Sequence, residues 1–303
     1  MKILKVLLVL LLFLILVVYL IPNPRKSFEE IYGEVDKGIV SSLLAFRNQP
    51  LNIIEVDGTE WRYLVTGKGS KAILFLHGMG GSYDIWWQQI NSLKDEYKII
   101  TLTYPAKNSL AELSQGILAI FEKENINMVN IIGSSLGGYE AQYLVSEHPK
   151  IVNKVIFANT FPPNDLILEE NKILGSLLPV LPEWLIMKSY RGSILNSVYP
   201  ASHNSELVKA FLLEQGYGGM SKAQFIGRYR SVVDPFEAVN PDKIDIPVMI
   251  IESNNDPLVA EELRNMLKQT YPSAPVYTFD SGHFPYLNEP EKYSEVIRDF
   301  FAE

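Results

Sequence analysis

A chain of 303 residues, 47 % apolar and 20 % charged, has the mix of a folded globular protein and enough length for one large domain with an insertion, which excludes an intrinsically disordered protein. Its 35 acidic residues outnumber 27 basic ones for a net charge of −8, and no basic run exceeds Arg25-Lys26, which argues against nucleic acid as a partner. Cysteine is absent, so disulfides, thiolate metal sites, a cysteine nucleophile and a lipidated-cysteine anchor are all excluded, while the compartment stays open.

The first element is a run of apolar residues. From Ile3 to Ile21 only Lys5 and Tyr19 interrupt it, and at 1.5 Å per residue about 19 residues nearly cross a ~30 Å hydrocarbon layer. Its exit, Val17-Val18-Tyr19-Leu20-Ile21-Pro22-Asn23-Pro24, lacks the Ala-x-Ala pattern of signal-peptide cleavage. The expectation is an uncleaved single-pass transmembrane helix, a membrane anchor over residues 1–24. Lys2, Lys5 and the amino terminus precede it and Arg25 and Lys26 follow it, a bias of one charge that puts the body on the extracytoplasmic side. Residues 25–50 read as a linker with a helix, and residues 51–303 as the main domain.

That domain opens with Leu51 to Val56 and Trp61 to Thr66, which alternate like a hairpin around Asp57-Gly58. Short apolar runs then alternate with helical stretches: Ala72 to Leu76, Lys98 to Thr103, Met128 to Ile132, Val155 to Ala158, Ile246 to Ile251 and Pro275 to Phe279. Between them, Leu110, Leu113, Ile117, Ile120 and Phe121, and then Tyr139, Tyr143, Leu144 and Val145, recur at helical spacing. This rhythm predicts an α/β class protein, with a mostly parallel twisted sheet and helices on both faces. It breaks over about residues 161–240, a stretch rich in Leu, Met, Trp and Tyr that reads as an inserted helical cap. No internal repeat is present.

The chemistry sits at the ends of the apolar runs. Gly133-Ser134-Ser135-Leu136-Gly137-Gly138 follows one strand and opens a helix, the context of a nucleophile elbow, with spacing that selects Ser135 over Ser134. A serine hydroxyl needs a base within hydrogen-bond reach. Of His77, His148, His203 and His283, the last fits best, in a loop after the final strand and before a closing helix from Glu289 to Phe301. His148, before Pro149, reads as a helix-end surface residue, and His203 as a cap residue. The imidazole in turn needs a carboxylate at the sheet's C-terminal edge. Asp256, just after Ile246 to Ile251, is placed there, with Glu252, Asp234 and Asp280 as rivals and helix capping as its alternative role. Stabilising an oxyanion takes backbone N–H groups. The loop His77-Gly78-Met79-Gly80-Gly81 after another strand offers Met79, and the elbow offers Leu136, with His77 as a structural support.

From about Glu60 to Phe301 the chain resembles the α/β-hydrolase superfamily, through His77-Gly78, the elbow at Ser135, Asp256 and His283 in that order. Within it, Thr103-Tyr104-Pro105, Gly133 to Gly138 and Gly282-His283-Phe284-Pro285-Tyr286-Leu287 are similar to the maspardin branch. The resemblance implies the α/β-hydrolase fold and an acyl-enzyme mechanism with no metal or organic cofactor. It also implies a rival, a non-catalytic membrane-associated adaptor binding a protein partner, because maspardin lacks the triad histidine. This chain keeps His283 and Asp256, so the expectation is a serine hydrolase acting on a small-molecule carboxylic ester or lipid. The cap residues Leu177, Leu178, Leu181, Leu185 and Ile186, with Trp184 and Met187 as substrate-binding candidates, point to a hydrophobic acyl group. Esterase, lipase, thioesterase, amidase and peptidase activity, and the oligomeric state, stay open at this point.

Overall fold

The computed structural model describes residues 2–239, 243 and 245–302. Its chain order runs α1 (Lys2–Leu20), α2 (Phe28–Tyr32), α3 (Lys37–Arg47), β1 (Asn52–Val56), β2 (Thr59–Thr66), β3 (Ala72–Leu76), α4 (Trp87–Leu93), β4 (Lys98–Thr103), α5 (Leu110–Lys123), β5 (Val129–Ser134), α6 (Leu136–Glu147) and β6 (Val152–Ala158). Among the described residues, five α-helices follow before the next strand: α7 (Leu166–Leu177), α8 (Glu183–Ser193), the short α9 (Tyr199–Ala201), α10 (Glu206–Glu214) and α11 (Lys222–Val232). The chain closes with β7 (Val248–Ser253), α12 (Glu261–Thr270), β8 (Val276–Phe279), α13 (Pro285–Asn288) and α14 (Pro290–Ala302). The helical insertion between β6 and β7 fills the stretch expected to be a cap; residue 240, its expected far limit, lies outside the described residues, as do residues 1 and 303.

The strands form one sheet in the order β1-β2-β4-β3-β5-β6-β7-β8, antiparallel at β1-β2 and β2-β4 and parallel from β4 onward. The β1-β2 turn takes positive φ at both Asp57 and Gly58, which matches the right-handed twist of the strands it joins. Side chains alternate between the two faces of each strand. Ile73 and Phe75 join the core under α4 and α14, while Leu74 and Leu76 join the core under α5 and α6. Both faces of β3 and β5 are therefore covered, and every residue of these strands is buried.

Connection order decides where a site can form. The chain leaves β3 towards β4 on one side and returns from β4 to β5 on the other, so the crossovers diverge beside β3 and β5. At such a switch point the strands' C-terminal ends border an open crevice.

Residues 25–50 form more than a linker. Leu43, Phe46, Tyr32 and Val35 are buried in the core, and Arg47 bridges Asp84 at 2.6 Å and Glu214 of α10 at 2.7 Å. Tyr32 Oη donates to the same Glu214 at 2.7 Å. The segment thus ties the cap to the sheet domain. By contrast, α1 buries no residue, and its apolar side chains stand exposed along its length.

Candidate active site

Ser135 occupies the turn from β5 into α6 with φ 56° and ψ −122°, a backbone region that costs a non-glycine residue about 1–3 kcal/mol. The surroundings hold it there: its N–H donates to Ala158 O at 3.0 Å, and Thr160 Oγ1 donates to its carbonyl at 2.7 Å. Such a tight turn needs glycines on either side. A Cβ at Gly133 would run into the Gly137 carbonyl, and one at Gly137 into the Leu76 carbonyl.

His283 follows β8, and its ring Nδ1 lies 2.8 Å from Asp256 Oδ2 and 3.0 Å from Oδ1. An ionised carboxylate only accepts, so Nδ1 carries the proton and the neutral ring keeps its lone pair on Nε2. Burial alone would raise the Asp256 carboxyl; the charge and hydrogen bond of His283, the amide of Asn159 (3.0 Å) and the Leu258 N–H (2.9 Å) outweigh it and hold the group below its ordinary value. Asp256 also accepts from Val259 N–H at 3.1 Å, so the turn-capping role and the pairing with His283 coexist on one side chain. Gly282, at φ 73°, donates its N–H to Asn255 Oδ1 at 2.9 Å and fixes the histidine loop.

The rival carboxylates are engaged elsewhere. Glu252 bonds Lys268 at 3.0 Å, Asp234 accepts from Leu110 N–H at 2.8 Å, and Asp280 accepts from Asn254 at 2.8 Å. His203 reaches the Asp280 carbonyl at 2.7 Å, and His148 ends α6. His77 is buried between the Gly78 carbonyl (2.7 Å from Nδ1) and the Tyr104 N–H (3.2 Å to Nε2), an arrangement that suits only the neutral ring. Burial, reinforced by the Arg228 charge, pushes its pKa well below 6.5.

The loop after β3 is clamped from the cap. Arg228 of α11, fully buried, donates to Met79 O at 2.7 Å, Gly81 O at 3.0 Å and Tyr104 O at 3.4 Å. No carboxylate pairs with it among the described residues, and burial pulls its pKa down to about 10. The Leu136 N–H stands in the first turn of α6, where a helix offers it no partner. Ser135, Met79 and His283 line one cavity of about 530 Å³. Among the described residues no hydrogen bond joins Ser135 Oγ to the His283 ring, as is common before substrate draws such contacts together.

The cavity wall is apolar: Leu174, Leu178, Leu181, Leu185 and Ile186 supply much of it. Trp184 and Met187, expected at the substrate, are not among the lining residues. Met187 is buried in the protein, and the Trp184 indole donates to Val18 O of α1 at 2.9 Å. Their helix turns Leu185, Ser189 and Ser193, with Ile186 and Tyr190, towards the cavity instead. Tyr190 Oη has no hydrogen-bond partner among the described residues, and burial pushes its pKa up so that it stays a neutral donor. Asn159, Arg228 and Tyr190 went unnoticed in the sequence. Among the described residues no group of three or more His, Asp or Glu could hold a metal ion.

A family model described as "Alpha/beta hydrolase family" matches residues 73–296. Over 110 residues the chain is 30 % identical to the dihydrolipoyllysine-residue acetyltransferase component of the acetoin cleaving system of Cupriavidus necator, a match covering 33 % of this chain and 29 % of that protein. It is 23 % identical to maspardin of Danio rerio over 71 % of this chain and 69 % of that one. In structure it is similar to the enol-lactonase from Burkholderia xenovorans (TM-score 0.71, 17 % identity, 83 % of this chain and 100 % of that one). It is also similar to a thermophilic esterase from Thermogutta terrifontis (TM-score 0.68, 15 % identity, 84 % and 98 %). At these identities the structural likeness concerns the fold.

Proposed function

The chain belongs to the α/β-hydrolase family, and we propose that it is a membrane-anchored serine hydrolase that cleaves carboxylic esters with a hydrophobic acyl group. The observation that carries this reading is the His283–Asp256 pair, which leaves a basic Nε2 in the same cavity as a serine held in a strained elbow. Ser135 is the nucleophile, His283 the base and Asp256 the residue that orients the ring. His283 Nε2 takes the hydroxyl proton as Ser135 Oγ bonds to the substrate carbonyl carbon, and the Met79 and Leu136 N–H groups receive the oxyanion. The tetrahedral intermediate collapses by breaking the ester C–O bond, with the proton passing from His283 to the departing alcohol. Water then gives its proton to His283 and attacks the acyl-enzyme; the acid leaves and Ser135 regains its proton.

The apolar cavity wall supports an acyl chain, and its volume of about 530 Å³ falls in the range of small-molecule sites. The exposed apolar α1 supports an uncleaved single-pass anchor over residues 1–24, and the one-charge excess before it supports a body on the extracytoplasmic side. A series of p-nitrophenyl esters of increasing chain length, assayed with the full chain and with Ser135→Ala, tests the reading. Turnover that rises with chain length and vanishes in the variant is expected. No turnover of any ester by the folded wild type would leave the adaptor reading.

A further inference from the structure

Helices α7 and α8 expose apolar side chains where the cavity opens. Helix α7 buries none of its residues, and Ile173 is 78 % exposed, with Leu174 and Leu177 beside it and Val180 just beyond. Among the described residues, thirteen large apolar residues outside α1 are exposed, and seven of them fall between residues 168 and 195. Scattered single leucines would need no explanation, but a concentration on one element marks a surface that meets something apolar. Leu174 and Leu185 are at once exposed and part of the cavity wall, so this surface is the rim of the candidate active site.

What covers it is indicated by the neighbouring chain. Trp184, next to the rim residue Leu185, donates its indole N–H to Val18 O, one of the last four carbonyls of α1, which the helix itself leaves without a donor. Val18 lies three residues before Ile21, the end of the apolar run, so the rim sits roughly 5 Å along the helix from that end. Just beyond, Arg191 Nη1 donates to Asn23 Oδ1 at 2.9 Å, its guanidinium lies 4.6 Å from the Tyr217 ring centre, and Lys26 stands over the same ring at 5.2 Å. An apolar span, a tryptophan at its end and cations outside that is the order in which a chain leaves a bilayer.

We propose that the exposed face of α7 and the α7–α8 turn rests in the membrane interface, so that the cavity opens to the leaflet and takes an amphiphilic ester from the bilayer. Ile173, Leu177 and Val180 embed, Leu174 and Leu185 form the apolar doorway, and the acyl chain passes to Ser135 without crossing water. This rests on the reading of α1 as an anchor and of Ser135 as the nucleophile, and the labelling arm of its test needs no turnover and reads the anchor separately.

Because the chain has no cysteine, single-cysteine variants Ile173→Cys, Val180→Cys and, as the control, Met128→Cys can be labelled with an environment-sensitive fluorophore. Met128 is exposed just ahead of β5, at the opposite end of that strand from the elbow. The full-length proteins are placed in phosphatidylcholine vesicles containing lipids spin-labelled near the headgroup. Blue-shifted emission quenched several-fold more at Ile173 and Val180 than at Met128 is expected. Equal quenching at all three positions, with the protein retained after alkaline carbonate extraction, overturns the docking while leaving the anchor intact. Cross-linking of two chains through Ile173→Cys, without quenching, likewise overturns it in favour of a second copy. An Ile173→Gln/Val180→Gln variant supplies the second readout: about tenfold lower kcat/KM on an ester embedded in vesicles, with unchanged turnover of a soluble short-chain ester. Equal loss on both substrates would contradict the proposal.

Discussion

Arg228→Met removes the clamp on the loop after β3, whose Met79 N–H is the proposed oxyanion donor, while keeping a side chain of comparable length. It deletes the donors at 2.7, 3.0 and 3.4 Å to the Met79, Gly81 and Tyr104 carbonyls. Hydrogen bonds from a charged group contribute about 1.5–3 kcal/mol each, but this cation has no carboxylate partner among the described residues, and relief of its desolvation offsets several kcal/mol of that loss. Stability should therefore change by only about 2 kcal/mol or less. Activity should change more. If the Met79 N–H leaves the oxyanion, one donor is lost, which lowers kcat by about 10²–10³-fold. KM for a soluble ester should move little, because the carbonyl's ground state is not what the clamp serves. Thermal unfolding beside steady-state kinetics separates the two effects. A folded Arg228→Met protein with kcat within about twofold of wild type would refute the positioning role.

Asp256→Asn leaves the ring without its acceptor and favours the wrong tautomer, so kcat should fall by about 10⁴-fold with the fold retained, as read by kinetics and circular dichroism. Asn159→Ala removes one hydrogen bond that favours the ionised Asp256, so the carboxyl's pKa should rise; the stability this depressed pKa contributes above the unfolded value is lost at a higher pH as acid is added, measurable by denaturation between about pH 2 and 5. Glu140, buried on α6 and bonded by Ser114 Oγ at 2.6 Å, has its carboxyl held well above 4.5 by burial. The native state keeps a proton that the unfolded chain releases above pH 4.5, so stability is full below that value and falls as pH rises, by up to about 1.4 kcal/mol per unit. Glu140→Gln abolishes this slope, and its stability relative to wild type should grow between about pH 5 and 7; parallel profiles would contradict the assignment.

The strands were legible because burial on both faces requires continuous apolar runs; β3 and β4 begin and end where those runs do. At β7 the run began two residues early. Pro247 has no N–H to donate, and only its carbonyl pairs, accepting from Val155 at 3.0 Å. The elbow was visible because its glycines are demanded by local sterics. Arg228 was not, because its partner Met79 is 149 residues away and nothing local marks an arginine that will be buried. Asn159 looked like any residue after a strand until β6 and β7 brought it to Asp256. That Trp184 and Met187 fall outside the cavity lining is not legible for a related reason: apolar spacing identifies a helix with buried sides, but not which side meets the cavity and which meets core or α1. The region 25–50 reads as a linker with a helix because its mixed, amphipathic pattern says nothing of what it packs on; its attachment comes from Arg47 and Tyr32 converging on Glu214.

The proposed chemistry stands or falls on Ser135 being an activated nucleophile. Fluorophosphonate labelling of the full-length protein, followed by mass mapping of the modified peptide, tests it without assuming a substrate. An activated Ser135 gives a single adduct in the wild type and none in Ser135→Ala or His283→Ala; an unlabelled but folded wild type, or label retained in both variants, would rule it out.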